Sequence, residues 1–419
     1  MSGPSAPDDR TGPSPAPWPL TLLDVPALRR AGTAPVPFNQ FVLKLHSRCN
    51  LACDYCYIYE SADHTWRDRP VQLSARTGQR AVARIAEHVR THRLTAIRVE
   101  LHGGEPLLRG AGPLVALADQ LRAALPPWCT ARITVQTNGT LLTERGLARL
   151  AEAGIRVGLS LDGGTAELNR HRIDHAGRPS WPAAARAARL LQRHPESYAG
   201  VLTTIDVESP PEAVLTSLLA LRPPSLALLL PHANWSARPP GAPGRYGDWL
   251  AEVFDLWWGA ELPGPPIRLF REIVGLLLGR PSTTEAVGLS PVAAVIVDTD
   301  GSIEQVDALR SAYHGAAGTG LDVFRHSFDA ALEHPGVAAR QLGLAGLSAQ
   351  CRQCSLVRVC GGGNYTHRYR RGEGFLNPSV YCADLERLIR HVAQSLEKAL
   401  QEGPAGPVPH PKTPLERYF

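Results

Sequence analysis

The sequence predicts an α/β protein: a partial (β/α)6 barrel of the TIM type followed by a small cysteine-rich module. Three observations predict it. From Phe38 onward, short apolar strand-like runs alternate with amphipathic helix-like runs. The residues suited to chemistry fall just after the strand-like runs, at the strand ends where α/β barrels gather their active groups. Seven of the eight cysteines fall into two tight groups, and Cys129 stands alone beside Trp128 as a small buried hydrophobe.

Strands are expected at Phe41–Leu45, Ile97–Leu101, Arg132–Gln136, Arg156–Leu161, Gly200–Ile205 and Leu226–Leu230. Helices are expected at Leu73–His92, Leu114–Leu125, Thr143–Ala153, Trp181–Arg193 and Pro211–Leu221 between them. Strand–helix repetition of this kind implies parallel strands joined by crossovers. Six such units suit a partial barrel better than a closed eight-fold one. Two more helical stretches follow at Gly247–Gly259 and Pro266–Leu278, and then a hairpin across Ala293–Asp307 with an Asp-Gly turn at Asp300-Gly301. The organisation expected is a Pro-rich arm over 1–36, the barrel over 37–245, bridging helices and hairpin over 246–345, the cysteine module over 346–395 and a tail over 396–419. The arm carries one apolar patch, Leu20 to Val25, and is expected to be disordered or to lie as a strap on the fold.

With 419 residues, 44% of them apolar and 20% charged, the composition is that of a globular chain large enough for two or three domains. The formal net charge of +5 is mild and gives no ground for a nucleic-acid partner. No apolar run reaches the roughly 18 residues of a membrane span. The N-terminus lacks the basic-then-apolar order of a signal peptide. Cysteines without export signals suggest a reducing compartment, so a cytoplasmic location is expected.

The first cysteine group is Cys49-x3-Cys53-x2-Cys56, directly after the first strand. Thiolates this close suggest a soft metal or an iron–sulfur cluster. Three thiolates leave one iron of a cubane open, where the amino and carboxylate groups of an amino acid can chelate. Zinc knuckles pair such a motif with a second CxxC or with histidine, and nothing nearby completes that set. The second strand is followed by Gly103-Gly104-Glu105-Pro106, the third by Thr137-Asn138-Gly139 and the fourth by Asp162-Gly163. Two glycines permit close backbone approach to a ligand, and Pro106 keeps Glu105 extended, so that its backbone can pair with one.

Cys49, Cys53, Tyr55 and Cys56 match the CxxxCxΦC signature of radical S-adenosylmethionine (SAM) enzymes, and the chain resembles that family. The resemblance implies that Cys49, Cys53 and Cys56 hold a 4Fe-4S cluster whose open iron binds S-adenosylmethionine. It further implies that Tyr55 packs by the adenine and that the motif around Gly103, Gly104 and Glu105 binds the cofactor's amino group. Ser160 then contacts the cofactor, and Arg172 pairs with its carboxylate. Gln136 and Asn138 are candidate rim groups. An Asn-Gly turn accounts for the latter equally well.

The second group is Cys351-x2-Cys354-x5-Cys360, joined after 21 intervening residues by Cys382. Four thiolates complete a cubane or a zinc site, and spacing alone leans to zinc. The region resembles the SPASM extension of peptide-modifying radical enzymes, which implies an auxiliary 4Fe-4S cluster. Full members carry seven cysteines and two auxiliary clusters. Here Val306 and Asn364 stand where two of those cysteines are expected, so a single auxiliary cluster is expected.

Within the family, FNQFVLKLHSRCNLACDYCYIYE, LHGGEPLL and CSLVRVCGGGNYTHRYRRGEGFLNPSVYCADL are similar to the Fxs-type actinobacterial maturases, which form cyclophanes on ribosomal peptides. The similarity implies abstraction of a side-chain β-hydrogen from a precursor peptide and closure of an aromatic-to-β-carbon C–C bond. It also implies an electron donor such as flavodoxin or ferredoxin. Thioether formation, epimerisation and formylglycine formation are the alternatives within radical chemistry, and a zinc-binding peptide scaffold is the non-enzymatic one. Asp307 is expected to be the catalytic base, its pKa raised by burial.

Overall fold

The computed structural model describes residues 17–260 and 264–402. Six parallel strands form its centre: β1 (Gln40–His46), β2 (Ala96–Gly103), β3 (Thr130–Thr137), β4 (Ile155–Ser160), β5 (Tyr198–Thr204) and β6 (Leu226–Leu229). Helices α1 (Ala75–Thr91), α2 (Gly112–Ala124), α3 (Glu144–Glu152), α4 (Trp181–Gln192) and α5 (Pro211–Leu219) connect them in turn. Local chemistry sets these elements. Ser74 caps α1 by accepting from Thr77 N at 3.0 Å, and Thr143 caps α3 by accepting from Gly146 N at 3.0 Å. Ala81, Val82, Ile85 and Val89 recur at helical spacing and are buried. Along β2, Ile97, Val99, Leu101 and Gly103 alternate inward with more exposed neighbours.

The strands are ordered β6-β5-β4-β3-β2-β1, and three more continue the sheet: β7 (Ala294–Val297), β8 (Ser302–Glu304) and β9 (Gly318–Asp322). The hairpin read from the sequence is present as β7 and β8, with Gly301 at φ 91° in its turn. Its placement is new. β7 pairs parallel to β1, with Phe41 opposite Val295 and Leu43 opposite Val297, so the bridging region extends the barrel sheet. The first strand is therefore central, with β2 on one side and β7 on the other.

Helices α6 (Arg245–Trp258) and α7 (Arg268–Leu277) follow β6, a short helix α8 (Phe328–Leu332) follows β9, and a long helix α9 (Cys382–Glu402) closes the described chain. Helix α9 packs on α6, with the buried ring of Tyr381, just ahead of α9, 5.2 Å from Tyr246 of α6, and it runs past residue 396, where the sequence reading set a tail. Residues 403–419 lie outside the described residues, as do 1–16 of the arm. Residues 17–36 form a strap. Its Trp18 is buried in a satellite cluster with Leu309, Tyr365, Tyr369 and Phe375. No helix among the described residues is long and apolar enough to cross a membrane.

Candidate active site

The motifs that follow the first four strands converge on the C-terminal ends of β1 to β4. The loop after β1 carries three free thiols: Cys49, Cys53 and Cys56. Cys49 Sγ accepts from Leu51 N at 3.4 Å and from Asn138 Nδ2 at 3.8 Å. Burial pushes the Cys49 thiol up to about 12 and the Cys53 thiol up to about 11, and raises Cys56 too; Cys53 and Cys56 add to the rise at Cys49 through their charge. The three thiols thus lie close enough to feel one another's charge, with Cys53 buried and Cys49 and Cys56 half-buried, where ionisation is disfavoured without a bound cation. Unjoined thiols converging where only a metal makes thiolates favourable fit a three-thiolate cluster.

The glycine motif after β2 packs directly on this loop. Gly104 N donates to His46 O at 2.8 Å and Glu105 N to Arg48 O at 3.1 Å. A Cβ on Gly103 would lie 2.4 Å from His46 O, and one on Gly104 would lie 2.0 Å from Tyr59 Oη. Both glycines are therefore required by the close approach of the cysteine loop, whatever they also offer a ligand. Glu105 is extended, at φ −134° and ψ 111°, as Pro106 requires. Its carboxylate is fully buried and accepts from Leu107 N at 2.9 Å, Thr137 Oγ1 at 2.7 Å and Asn138 N at 2.8 Å. That side chain ties the loop after β2 to the loop after β3.

The other rim residues are also joined in pairs. Gln136 Nε2 donates to Ser160 Oγ at 2.8 Å, and Gly158 leaves room for that amide, since a Cβ there would lie 2.2 Å from Gln136 Oε1. Asn138 Nδ2 donates to Asn50 Oδ1 at 3.0 Å, which ties the β3 loop to the cysteine loop. Arg172 donates to Tyr55 Oη at 2.7 Å and lies 3.7 Å from Asp162 Oδ1, while Tyr55 Oη donates to Asp162 Oδ2. Burial works against the Arg172 charge, but Tyr55 and Asp162 outweigh it and hold its pKa up. Asp162, singled out in sequence only as part of the motif after the fourth strand, thus binds the two residues that the family resemblance assigns to the cofactor.

Beneath the rim lies a buried ion network that the sequence reading missed. Lys44 Nζ is 2.5 Å from Asp307 Oδ1 and 3.3 Å from Asp298 Oδ2. Arg310 donates to Asp307 Oδ1 at 3.0 Å, Asp63 Oδ2 at 2.5 Å, Asp298 Oδ2 at 3.0 Å and Glu304 Oε2 at 2.5 Å. Arg69 adds Glu304 Oε1 at 2.9 Å and Asp300. Lys44 is 4% exposed and Arg310 1%. The expectation of a raised pKa at Asp307 is corrected here. Burial alone would raise it, but Lys44 and Arg310 outweigh burial and hold the carboxyl well below the usual range. Burial raises the pKa of the Tyr57 phenol, and the charges of Asp307 and Cys56 add to the rise. One sequence signal existed. Lys44 interrupts the apolar run Phe41-Val42-Leu43-Lys44-Leu45, and a buried lysine requires a counter-ion.

The second cysteine group also converges. Cys351 sits in a short helix capped by Ser348, Cys360 ends another, and Cys382 opens α9. Burial pushes Cys360 up to about 11, and the charges of Cys382 and Cys351 add to it. Burial also raises Cys382, with Cys351 and Cys354 adding. All four thiols are free. After Cys360 come three left-handed glycines, Gly361, Gly362 and Gly363, at φ 60°, 78° and 67°. Arg368 fixes that turn by donating to the Gly361, Gly362 and Gly363 carbonyls at 2.7, 3.0 and 2.7 Å. The two positions that depart from a full SPASM module have other work. Val306 packs on the satellite cluster, and Asn364 caps a turn by accepting from Thr366 N at 3.1 Å.

Residues 43–209 match the model of the Radical SAM superfamily. Over 376 residues the chain is 26% identical to a serine-type anaerobic sulfatase-maturating enzyme of Klebsiella aerogenes, spanning 86% of this chain and 89% of that one. Its fold resembles native anSMEcpe with bound AdoMet, at a TM-score of 0.72 and 21% identity, covering 87% of this chain and 99% of that one. It also resembles Streptococcus suis SuiB bound to its precursor peptide SuiA, at a TM-score of 0.57 and 14% identity, covering 85% and 78% of the two chains.

Proposed function

We propose that this chain, a radical SAM enzyme, is a peptide maturase that joins a side-chain β-carbon to an aromatic ring within a ribosomally made precursor peptide, forming a cyclophane. The bound 4Fe-4S cluster and S-adenosylmethionine supply the 5′-deoxyadenosyl radical for hydrogen abstraction. Cys49, Cys53 and Cys56 hold that cluster, and Cys351, Cys354, Cys360 and Cys382 hold the auxiliary one. Tyr55, Gly103, Gly104, Glu105, Gln136, Asn138, Ser160 and Arg172 shape the cofactor seat. Glu105 acts there through its backbone, because its carboxylate is taken up by the chain's own donors. Reducing equivalents come from a flavodoxin- or ferredoxin-like donor.

The observation that carries the reading is the buried Asp307 carboxylate, 2.5 Å from Lys44 of β1, the strand that leads directly into the three-cysteine loop. Closing the C–C bond on the ring releases one proton and one electron; the Asp307 carboxylate would accept the proton, and the auxiliary cluster would take up the electron. Paired with Lys44 and Arg310, Asp307 is ionised throughout the physiological range but holds a proton weakly, so it passes the proton on. Anaerobic assay of the loaded enzyme with its precursor peptide tests the reading: cofactor cleavage must accompany loss of two hydrogens from the peptide.

A second reading, formylglycine formation, is favoured by the sulfatase-maturating relative. Oxidising a serine to an aldehyde also removes two hydrogens, so mass alone does not separate the two. Reaction of the product with an aldehyde-trapping hydrazine does. A zinc-binding scaffold without chemistry predicts colourless protein without iron or sulfide.

A further inference from the structure

We propose that His88, His92 and Asp329 form a zinc site at the end of the barrel opposite the rim. The first two lie one helical turn apart, His88 in the last turn of α1 and His92 at its C-cap, and so share one face. Asp329 lies in the first turn of α8. His88 Nδ1 is 2.7 Å and His92 Nε2 2.9 Å from the same oxygen, Asp329 Oδ1. One ligand atom from each residue falls within a 4.8 Å span. Phe38, just ahead of β1, packs against the His88 ring at 5.8 Å, which places the group at the N-terminal ends of the strands.

Capping does not explain the aspartate, because Ser327 already caps α8 by accepting from Ala330 N at 3.3 Å. The second ring nitrogen of His88 points to a ligand. His88 Nε2 is buried with no hydrogen-bond partner, and the main chain of Phe38 is the polar group beside the ring. A ring that turns Nε2–H toward main chain is the tautomer that metal-bound histidines adopt. In that tautomer Nδ1 of His88, Nε2 of His92 and the Asp329 oxygen they both face are together free to act as ligands to one cation.

Two imidazoles and one carboxylate, with a fourth position left to water, suit zinc and not the oxygen-seeking magnesium or calcium. The side chain of His88 is 1% exposed, whereas His92 is 23% and Asp329 42% exposed, so the site has a buried wall and an open mouth. The ion would fasten the segment after β9 to the barrel. Phe328 already packs there on Phe38, Phe41 and His88.

The test uses protein carrying its full iron and sulfide, so that the cysteines are filled, titrated with zinc chloride alone by equilibrium dialysis. Wild type should take up one zinc per chain. His92→Gln and Asp329→Asn, both at partly exposed positions, should keep their iron and bind that zinc roughly tenfold or more weakly. Zinc should raise the melting temperature of wild type and not of the variants. Anomalous scattering at the zinc edge in wild-type crystals should place the ion between the three residues. No zinc uptake by wild type, equal uptake by Asp329→Asn, or an ion located elsewhere would overturn the proposal.

Discussion

The two cysteine groups are held in opposite ways. The three-cysteine loop is held from outside, by side chains from the ends of other strands. Asn138 reaches Cys49 and Asn50, and the β2 glycines press against residues 46–48. The four-cysteine module is held largely from within, by a serine cap, three left-handed glycines and one arginine spanning their carbonyls. The first site is a product of the assembled barrel, and the second is a product of a short stretch of chain. Losing cysteines should therefore have different consequences in the two places.

The largest expected effect is at the first site. Replacing Cys49, Cys53 and Cys56 by Ala should abolish S-adenosylmethionine cleavage and lower iron from about eight to about four per chain, with the fold intact. Complete loss of iron in that triple variant would break the proposed independence of the two groups. Next is Asp307→Asn, which keeps the shape and removes the base. It should still cleave the cofactor but lower product formation by roughly 10²–10⁴-fold. Near-normal product would remove Asp307 from the chemistry.

Arg310→Met should destabilise the loaded protein by about 3–5 kcal/mol, because it strands four buried carboxylates. Thermal unfolding of equally loaded samples measures this, and a negligible shift would mean that the network relaxes or hydrates. A smaller loss is expected for Arg368→Lys, about 1–3 kcal/mol, since a lysine cannot reach three carbonyls in one plane. It should release the auxiliary iron faster under chelator and spare the first cluster. Equal release from both sites would show that the module is not held from within.

The smallest effect concerns acid. Burial alone would raise Asp63, Asp298 and Asp307, but their cationic and hydrogen-bonding partners outweigh it and hold all three below the ordinary value. Groups depressed in the folded state contribute stability that is complete above about pH 4, the unfolded value. That stability is lost as pH falls through their folded pKa values. Glu304, raised by burial despite its cations, offsets part of this. Arg310→Met should flatten the stability–pH curve below about pH 4, and an unchanged curve would show that the network does not set acid stability.

Much of this was legible in the sequence for a local reason. The six strands and their helices follow from apolar periodicity and caps such as Ser74 and Thr143, which lie within a few residues of what they hold. The rim motifs were legible because each follows its strand directly. The pairing of β7 with β1 was not, because a hairpin reads the same whether it stands apart or extends a sheet. The ion network was hidden for a similar reason: Lys44, Asp63, Asp298 and Arg310 are brought together only by that pairing. The role of Arg368 was hidden too. Its burial depends on the three glycine carbonyls it binds, and no composition rule reports those contacts. Expecting a raised pKa at Asp307 counted burial and not the two cations beside it.

The measurement that bears most directly on the central claim is tandem mass spectrometry of the precursor peptide after anaerobic reaction with the loaded enzyme and S-adenosylmethionine, with a parallel sample treated with an aldehyde-trapping hydrazine. The account predicts a peptide lighter by two hydrogens that does not fragment between an aromatic residue and its joined partner and gains no hydrazine. A peptide that takes up the hydrazine, or that fragments at every backbone position across the modified stretch, would contradict it.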